Sequence, residues 1–145
     1  MDREVSVVAI HLGEKAEGPL EEAELARAVA GKGLVDDRHF HPDGAAPGAA
    51  LTLVEEEVVA DVGLQPGGTR RQITVRGVLL TDLIGKRFRV GVVECFGVEI
   101  CEPCLHLEQM TRPGIIKALV HRGGINADIL TDGVISVGDE ITPLD

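Results

Sequence analysis

The chain of 145 residues has the length of one domain, residues 1–145, and contains three Phe but no Tyr or Trp. Val, Leu, Ile and Ala must therefore fill the interior, and such packing favours strands. A net charge of −10 argues against binding to nucleic acid or to an anionic membrane surface. The apolar run within residues 1–12 is too short for a membrane span, and no convincing signal-peptide cleavage pattern accompanies it, so we expect a cytoplasmic protein.

The first elements alternate in type. Residues 5–12 are apolar and β-branched and predict a strand that ends at Gly13. Residues 20–30 predict a helix, because acidic residues fill the first turn and three apolar residues share one helical face. Residues 31–44 are polar and rich in turn residues, and we expect an excursion from the core there.

The next stretch combines a strand with a helix. Residues 49–54 predict a strand, and Thr52 followed by Glu55 matches a capping box at the start of a helix. Three valines then recur at helical spacing. After a glycine-rich loop, residues 70–76 alternate in the manner of a half-buried strand.

The second half predicts mainly strands. A short helical turn is expected near residues 80–84, and strands are expected at 87–90, 92–100, 125–130 and 135–142. The helices are few and do not alternate regularly with the strands, which argues against a doubly wound sheet. We therefore predict a mostly β fold, a closed or nearly closed β-barrel with two or three short helices.

The most chemically distinctive stretch is residues 95–110, where an apolar run precedes Cys101, Pro103 and Cys104. Three cysteines in a reducing compartment favour a catalytic, redox or metal-binding pair over a structural disulfide. Pro103 stiffens the backbone before Cys104 and removes one amide donor. A thiolate is both a nucleophile and a soft metal ligand, so Cys104 is the best candidate for the reacting atom.

Other interpretations of this pair remain open. One is a thioredoxin-like redox motif, but such a motif is expected earlier in the chain and between alternating helices and strands, which this sequence does not show around Cys101 and Cys104. A structural zinc site could use Cys101, Cys104 and His106, with Cys95 or His121 as the fourth ligand. Cys95 by itself is expected to be a small apolar core residue.

Basic residues are concentrated in one window of this acidic chain. Six of them lie between positions 62 and 93, against the single acidic residue Asp82. For Lys86, Arg87 and Arg89 we expect ordinary surface ion pairs. Asp37 and Arg38, in the polar excursion, could orient a ligand or pin a loop.

Five landmarks in order resemble one family, the MOSC domain, which is named for the C-terminal domain of molybdenum cofactor sulfurase. They are GKGLVDDRHF (31–40), ALTLVEEE (50–57), PGGTRRQITVRGVLLTDLIGKRFRVG (66–91), EPCLHL (102–107) and HRGGINADILTDGVISVGDEI (121–141). The resemblance implies a barrel-like β fold and a cysteine that carries persulfide sulfur or coordinates molybdenum. That cysteine corresponds to Cys104.

The resemblance also implies binding residues for the molybdenum cofactor, a molybdopterin. Arg70 matches the arginine of an arginine-x-asparagine landmark, and Gln72 stands where relatives have the asparagine. Arg71, Arg38 and Arg122 are further candidates for contacts with its phosphate, which arginine forks suit.

Two functions follow as expectations. The first is a sulfur-handling protein, a possible sulfurtransferase or molybdenum-dependent reductase, whose partner is a pyridoxal-phosphate-dependent cysteine desulfurase or a molybdenum enzyme. The second is a non-enzymatic module that binds molybdopterin or another anion. In either case Cys101 would be a resolving thiol or a bystander.

Overall fold

The computed structural model describes residues 5–145, which form short strands and a few very short helices. The strands are β1 Ser6–Leu12, β2 Glu21–Ala23, β3 Leu25–Val29, β4 Gly33–Leu34, β5 Leu51–Glu55, β6 Ile73–Arg76, β7 Arg87–Val90, β8 Val93–Ile100, β9 Ile125–Ile129, β10 Gly133–Ser136 and β11 Ile141–Pro143. The helices are α1 Glu56–Asp61, a 3-10 turn at Leu80–Leu83, α2 Leu105–Met110 and α3 Ile115–Leu119. Within the described residues, no helix is long and apolar enough to cross a membrane.

Eight of the strands form one curled sheet in the order β11-β7-β8-β9-β5-β6-β1-β2, and β10-β3-β4 form a smaller one. Among the strands of residues 5–145, only β5 and β6 pair in parallel, and the other strand pairs are antiparallel. The curl brings the segment before β11 back to β1. There the backbone N–H of Val7 donates a hydrogen bond of 2.8 Å to the carbonyl of Asp139. The prediction of a mostly β, nearly closed barrel is confirmed.

Two apolar clusters hold these elements together. The larger fills the curl of the sheet, and its fully buried side chains include Phe88, Ile10, Leu53, Ile73 and Ile125. The smaller joins α2 and α3 to the end of α1 through Val62, Leu107, Ile115 and Leu119. This second cluster sets the position of α2, and therefore of the residue that precedes it, Cys104.

The predicted helix at 20–30 is wrong. The segment forms the extended strands β2 and β3, and along β3 exposed and buried side chains alternate with a period of two. Helix-forming residues such as Glu, Ala and Leu carry only a weak intrinsic preference. Pairing of β2 with β1 and of β3 with β10 overrides that preference.

The predicted capping box is also wrong, although the strand and the helix it was meant to join are present. Helix α1 begins after Glu55, which makes no side-chain cap. Thr52 lies inside β5, where its hydroxyl accepts a hydrogen bond of 2.9 Å from the backbone N–H of Gln72. The hydroxyl therefore serves the contact between β5 and the start of β6 instead of the helix terminus.

Candidate functional site

The candidate site is a cavity of about 430 Å³, here called the Cys104 pocket. It lies where the polar excursion, the start of β6 and the turn after β8 meet. Its lining comprises Ala16, Arg38, His39, His41, Gly48, Ala49, Thr52, Arg70, Arg71, Cys101, Glu102, Cys104, His106, Leu107 and Asn126. Segments that are far apart in the sequence thus bring three arginines and two thiols to one cavity.

Cys104 ends the turn that follows β8 and immediately precedes α2. Its backbone is extended, with φ −125° and ψ 169°, and its carbonyl accepts a hydrogen bond from the N–H of Glu108 at 3.1 Å. The side chain is exposed and its thiol is free. An exposed thiol at the wall of a cavity is accessible to another molecule and can react with it.

The other two thiols have different surroundings. Cys95 is completely buried in the main core, and burial raises its pKa to about 12. This confirms the expectation that Cys95 is a core residue. Cys101 is half-buried, and burial also raises its pKa, although the positive charge of Arg71 partly opposes the shift.

Arg71 braces the turn that carries both pocket cysteines. Its Nε donates to the carbonyl of Gly123 at 2.8 Å, and its Nη2 donates to the carbonyl of Cys101 at 3.1 Å. The N–H of Cys101 donates to the carbonyl of Gly124 at 2.8 Å. The guanidinium therefore fixes the backbone of the turn while it also lines the pocket.

Arg38 and Arg70 form a second braced pair. Arg38 Nη2 donates to the carbonyl of Arg70 at 3.0 Å, and Arg70 Nη2 donates to the carbonyls of Ala16 and Gly18 at 3.1 and 2.9 Å. The backbone of Arg70 lies in the left-handed region, with φ 60°. Burial, and then the charge of Arg38, lower the pKa of Arg70. An anion in the pocket would relieve the repulsion between these two cations.

Asp37 holds the loop that carries Arg38. Its side chain is fully buried; Oδ1 accepts from the N–H of Gly13 at 3.0 Å and from Arg38 Nη1 at 3.1 Å. Oδ2 accepts from the N–H of His39 at 3.1 Å and from Gln72 Nε2 at 2.7 Å. Asp37 therefore pins the loop, whereas Arg38 lines the pocket.

Two of the residues expected to bind the cofactor do not line the pocket. Gln72 is buried behind its wall, where its amide joins Asp37 to the N–H of Thr52, which donates to Oε1 at 2.8 Å. Arg122 lies elsewhere on the surface, where Nη1 pairs with Asp61 at 2.8 Å and Nε donates to the carbonyl of Ala118 at 2.9 Å.

Histidines contribute to the pocket on two sides. His39 and His41 come from the polar excursion, and His106 comes from α2. Burial, and then the charge of Arg38, lower the pKa of His39 from its usual 6.5. His39 is therefore neutral at physiological pH and can accept or donate a hydrogen bond there.

The rest of the basic window lies away from this site. Arg87 pairs with Asp145 at 3.0 Å and Arg89 pairs with Glu94 at 3.5 Å, both at exposed positions. The expectation of ordinary surface ion pairs is confirmed for these two residues. Exposed pairs of this kind contribute little to stability.

The zinc alternative lacks a ligand set. Within residues 5–145, no group of three or more His, Cys, Asp and Glu side chains is arranged to hold a metal ion. The fourth ligands considered for it are engaged elsewhere, since Cys95 is in the core and His121 Nδ1 lies 2.9 Å from Glu102 Oε2. The structure therefore does not support a structural zinc site at Cys101, Cys104 and His106.

A second cavity, of about 570 Å³, is larger but is lined by fewer kinds of reactive side chain. Four of its ten described lining residues are acidic, namely Glu14, Glu21, Glu22 and Asp36, and none of the ten is a cysteine or a histidine. The smaller Cys104 pocket is the better candidate, because it combines an exposed free thiol with three arginines.

Sequence reasoning missed several residues of the site. Asn126, on β9, and Thr52, on β5, line the pocket. Asn126 follows the buried strand residue Ile125 within the landmark at 121–141, but nothing in the local pattern distinguishes it from a surface polar residue. Its role follows only from the pairing of β9 with β5 and β8.

The model of the MOSC domain matches residues 37–142, so this chain belongs to the MOSC domain family. Among solved structures, it is similar to the YUAD protein from Bacillus subtilis, with a TM-score of 0.77 at 16% identity over 94% of this chain and 93% of that one. It is also similar to YiiM from Geobacillus stearothermophilus, with a TM-score of 0.74 at 17% identity over 97% and 75% of the two chains.

YiiM from Escherichia coli gives a TM-score of 0.72 at 14% identity, over 99% of this chain and 71% of that one. A search of curated proteins finds no match. At these identities the solved structures support only the fold. The family model covers residues 37–142, which include every lining residue of the Cys104 pocket except Ala16.

Proposed function

We propose that this protein handles sulfur for molybdenum-cofactor chemistry, with Cys104 as the sulfur-carrying residue. The observation that carries the proposal is the shared cavity: an exposed thiol lies in one pocket with Arg38, Arg70 and Arg71. A thiol supplies the nucleophile, and arginines suit an anionic substrate or cofactor. Membership of a family named for a molybdenum cofactor sulfurase agrees with this combination.

The proposed carrier step is a thiol exchange. The Cys104 thiolate attacks the terminal sulfur of a persulfide held by a pyridoxal-phosphate-dependent cysteine desulfurase. A new sulfur–sulfur bond forms on Cys104, the bond in the donor persulfide breaks, and the donor cysteine leaves as a thiolate. The acceptor then attacks the same terminal sulfur, and the Cys104 thiolate is the leaving group.

The residues of the pocket fit a molybdopterin. Arg38, Arg70 and Arg71 each retain N–H donors beyond those used on backbone carbonyls, and a guanidinium fork matches a phosphate group. The cavity of about 430 Å³ lies within the ordinary range for small-molecule sites. When bound, the cofactor would supply a thiophilic metal for which the Cys104 thiolate is a suitable ligand. In that case the protein could serve as a molybdenum-dependent reductase.

Gln72 and Arg122 would then act indirectly or not at all on the cofactor. Gln72 would support the arginine wall through Asp37, because its amide holds the carboxylate that orients Arg38. Arg122, paired with Asp61, would instead steady the segment between α3 and β9.

Intact mass spectrometry tests the carrier proposal. Purified protein is incubated with a cysteine desulfurase and cysteine, and we expect a gain in mass of one sulfur atom that thiol reductants remove. Cys104→Ala should abolish the gain, whereas Cys95→Ala, which alters a core thiol outside the pocket, should retain it. Absence of the adduct in both the unaltered protein and Cys101→Ser would rule out the carrier role.

A non-enzymatic binding module is the second candidate, and the braced arginines favour it. Arg38 and Arg70 are held in place by backbone contacts before any ligand arrives, which lowers the entropic cost of binding an anion. Metal and pterin analysis of the isolated protein distinguishes the two candidates. Stoichiometric pterin retained by Cys104→Ala, together with no sulfur adduct on the unaltered protein, would support the module.

A further inference from the structure

The Cys104 pocket contains two thiols in very different settings. Cys101 is held on both sides, because its N–H donates to the carbonyl of Gly124 at 2.8 Å and its carbonyl accepts from Arg71 Nη2 at 3.1 Å. Cys104 is exposed and lies at the start of α2. Both thiols are free and both line the cavity. A thiol on a braced backbone and an exposed thiol therefore line the same cavity.

We propose that Cys101 is the resolving thiol for a persulfide on Cys104, so that the pocket can release its sulfur as hydrogen sulfide. This inference rests on the proposed sulfur-carrying function. It adds a second outcome for the bound sulfur, because the persulfide can either pass its terminal sulfur to an acceptor or be resolved within the chain.

The step balances without any outside reagent. The Cys101 sulfur attacks the Cys104 sulfur, a disulfide forms between the two residues, and the bond to the terminal sulfur breaks. The terminal sulfur leaves as sulfide and takes up the thiol proton of Cys101, giving hydrogen sulfide. The sulfane sulfur is thereby reduced by two electrons, and the two cysteine sulfurs are oxidised. A dithiol reductant then returns both residues to thiols and becomes a disulfide itself.

The backbone of the turn suits this role. Only Glu102 and Pro103 separate the two cysteines, and proline limits the conformations of the turn. A Cβ on Gly123 would lie 2.5 Å from the carbonyl oxygen of Cys101, so the glycine permits the close approach that anchors Cys101. The backbone of Cys101 is thereby anchored, while the persulfide would extend from the exposed residue.

Charge and burial around Cys101 would make this resolution slow, which leaves time for transfer. Burial raises the pKa of Cys101, with smaller contributions from Cys104, Glu99 and Glu102, and only Arg71 acts in the opposite direction. At neutral pH Cys101 is therefore mostly a thiol, and the thiol is the poorer nucleophile. Transfer to a docked acceptor would be favoured, and resolution would empty the site when no acceptor is present.

The test compares persulfide lifetimes in the unaltered protein and in Cys101→Ser. Both are loaded with sulfur by a cysteine desulfurase and cysteine, desalted, and followed by sulfide release and intact mass. We expect the unaltered protein to release one sulfide per chain and to end two hydrogens lighter than its reduced form. Peptide mapping should then find a bond between Cys101 and Cys104. In Cys101→Ser the persulfide should persist about tenfold longer or more, because the attacking sulfur is gone.

The outcomes separate this inference from the proposed function. If the desulfurase does not load either protein, the carrier proposal fails, and a chemical polysulfide is used to load Cys104 for the same comparison. Equal persulfide lifetimes in the unaltered protein and Cys101→Ser would overturn the resolving role, whichever reagent loads the sulfur. Cys101→Ala provides a second variant, and circular dichroism checks that both variants are folded.

Discussion

Gln72 Nε2 donates a hydrogen bond of 2.7 Å to Oδ2 of Asp37, and both side chains are buried. The bond ties the start of β6 to the loop that carries Arg38 and His39. Asp37 in turn accepts hydrogen bonds from both of those residues and from the N–H of Gly13. One side of the Cys104 pocket therefore depends on a buried amide–carboxylate pair that no ligand needs to touch.

Replacing Gln72 by Leu should destabilise the protein strongly. The substitution leaves Asp37 Oδ2 without its shortest bond and removes the acceptor for the N–H of Thr52. Each buried group that loses its partner costs about 1–3 kcal/mol. Urea denaturation measures the loss. Gln109→Leu, at an exposed position of α2, is the matched control and should change stability by less than about 0.5 kcal/mol.

Gln72→Glu should make the stability of the protein depend on pH through the same buried contact. The variant keeps the acceptor for Thr52 but places a second carboxylate at hydrogen-bond distance from Asp37. Two such groups favour sharing one proton, so the pKa of the pair would be raised in the folded state. The folded variant then binds more protons than the unfolded chain near neutral pH, and its stability should fall as the pH rises. A deficit relative to the unaltered protein that is unchanged between about pH 5 and pH 7.5 would contradict this.

Arg71→Ala should loosen the turn that carries the two pocket cysteines. It removes the hydrogen bonds to the carbonyls of Gly123 and Cys101, and charged donors of this kind contribute about 1.5–3 kcal/mol each. The amide of Cys101, now bonded to Gly124, should exchange its hydrogen at least about tenfold faster. Hydrogen exchange with mass spectrometry measures this.

Arg71→Lys separates charge from geometry in that experiment. Lysine keeps the positive charge but cannot reproduce a fork that reaches two carbonyls. We expect its exchange rate to lie between those of the unaltered protein and Arg71→Ala. Full protection in Arg71→Lys would show that the charge alone holds the turn.

The three cysteines should react with iodoacetamide in a definite order. Cys104 is exposed and should be modified first, and half-buried Cys101, whose pKa is raised by burial, should follow. Cys95, completely buried with a pKa of about 12, should react at least about 100-fold more slowly than Cys104 until the protein unfolds. Peptide mass spectrometry after brief labelling, with and without urea, measures the order. Labelling of Cys95 together with Cys104 in native buffer would be the contrary result.

His11 should make the protein less stable in mild acid. Its ring is buried and packed against Gly67, its Nδ1 has no hydrogen-bond partner among the described residues, and burial lowers its pKa from 6.5. Below pH 6.5 the unfolded chain therefore takes up a proton that the folded protein does not, and stability falls as the pH falls. His11→Gln should show a smaller loss than the unaltered protein between about pH 7.5 and pH 5.5 in urea denaturation. An identical pH dependence would exclude His11 as the cause.

Local sequence predicted most of the strands, because β-branched alternation and glycine turns act over a few residues. Strand β7 has the predicted bounds, and β8 and β9 differ from theirs by one residue. Prediction from local sequence failed at residues 20–30, where glutamate, alanine and leucine favour a helix but pairing with β1 and β10 imposes strands. The local pattern also did not predict helix α3, whose position depends on the small apolar cluster shared with α2 and the end of α1.

By itself, the sequence determined the family and the nearly closed β fold, because these depend on residue types and their spacing, and it singled out Cys104 as the candidate reactive residue. Only the tertiary structure decided which arginines line the cavity that also contains the Cys104 thiol. Arg38 and Arg71 come from different segments and meet at one cavity, whereas Arg122 turns to Asp61 and Gln72 is buried against Asp37. The physical reason is that a pocket is formed by contacts between distant segments, and the direction of each side chain is set by the partners that folding brings to it.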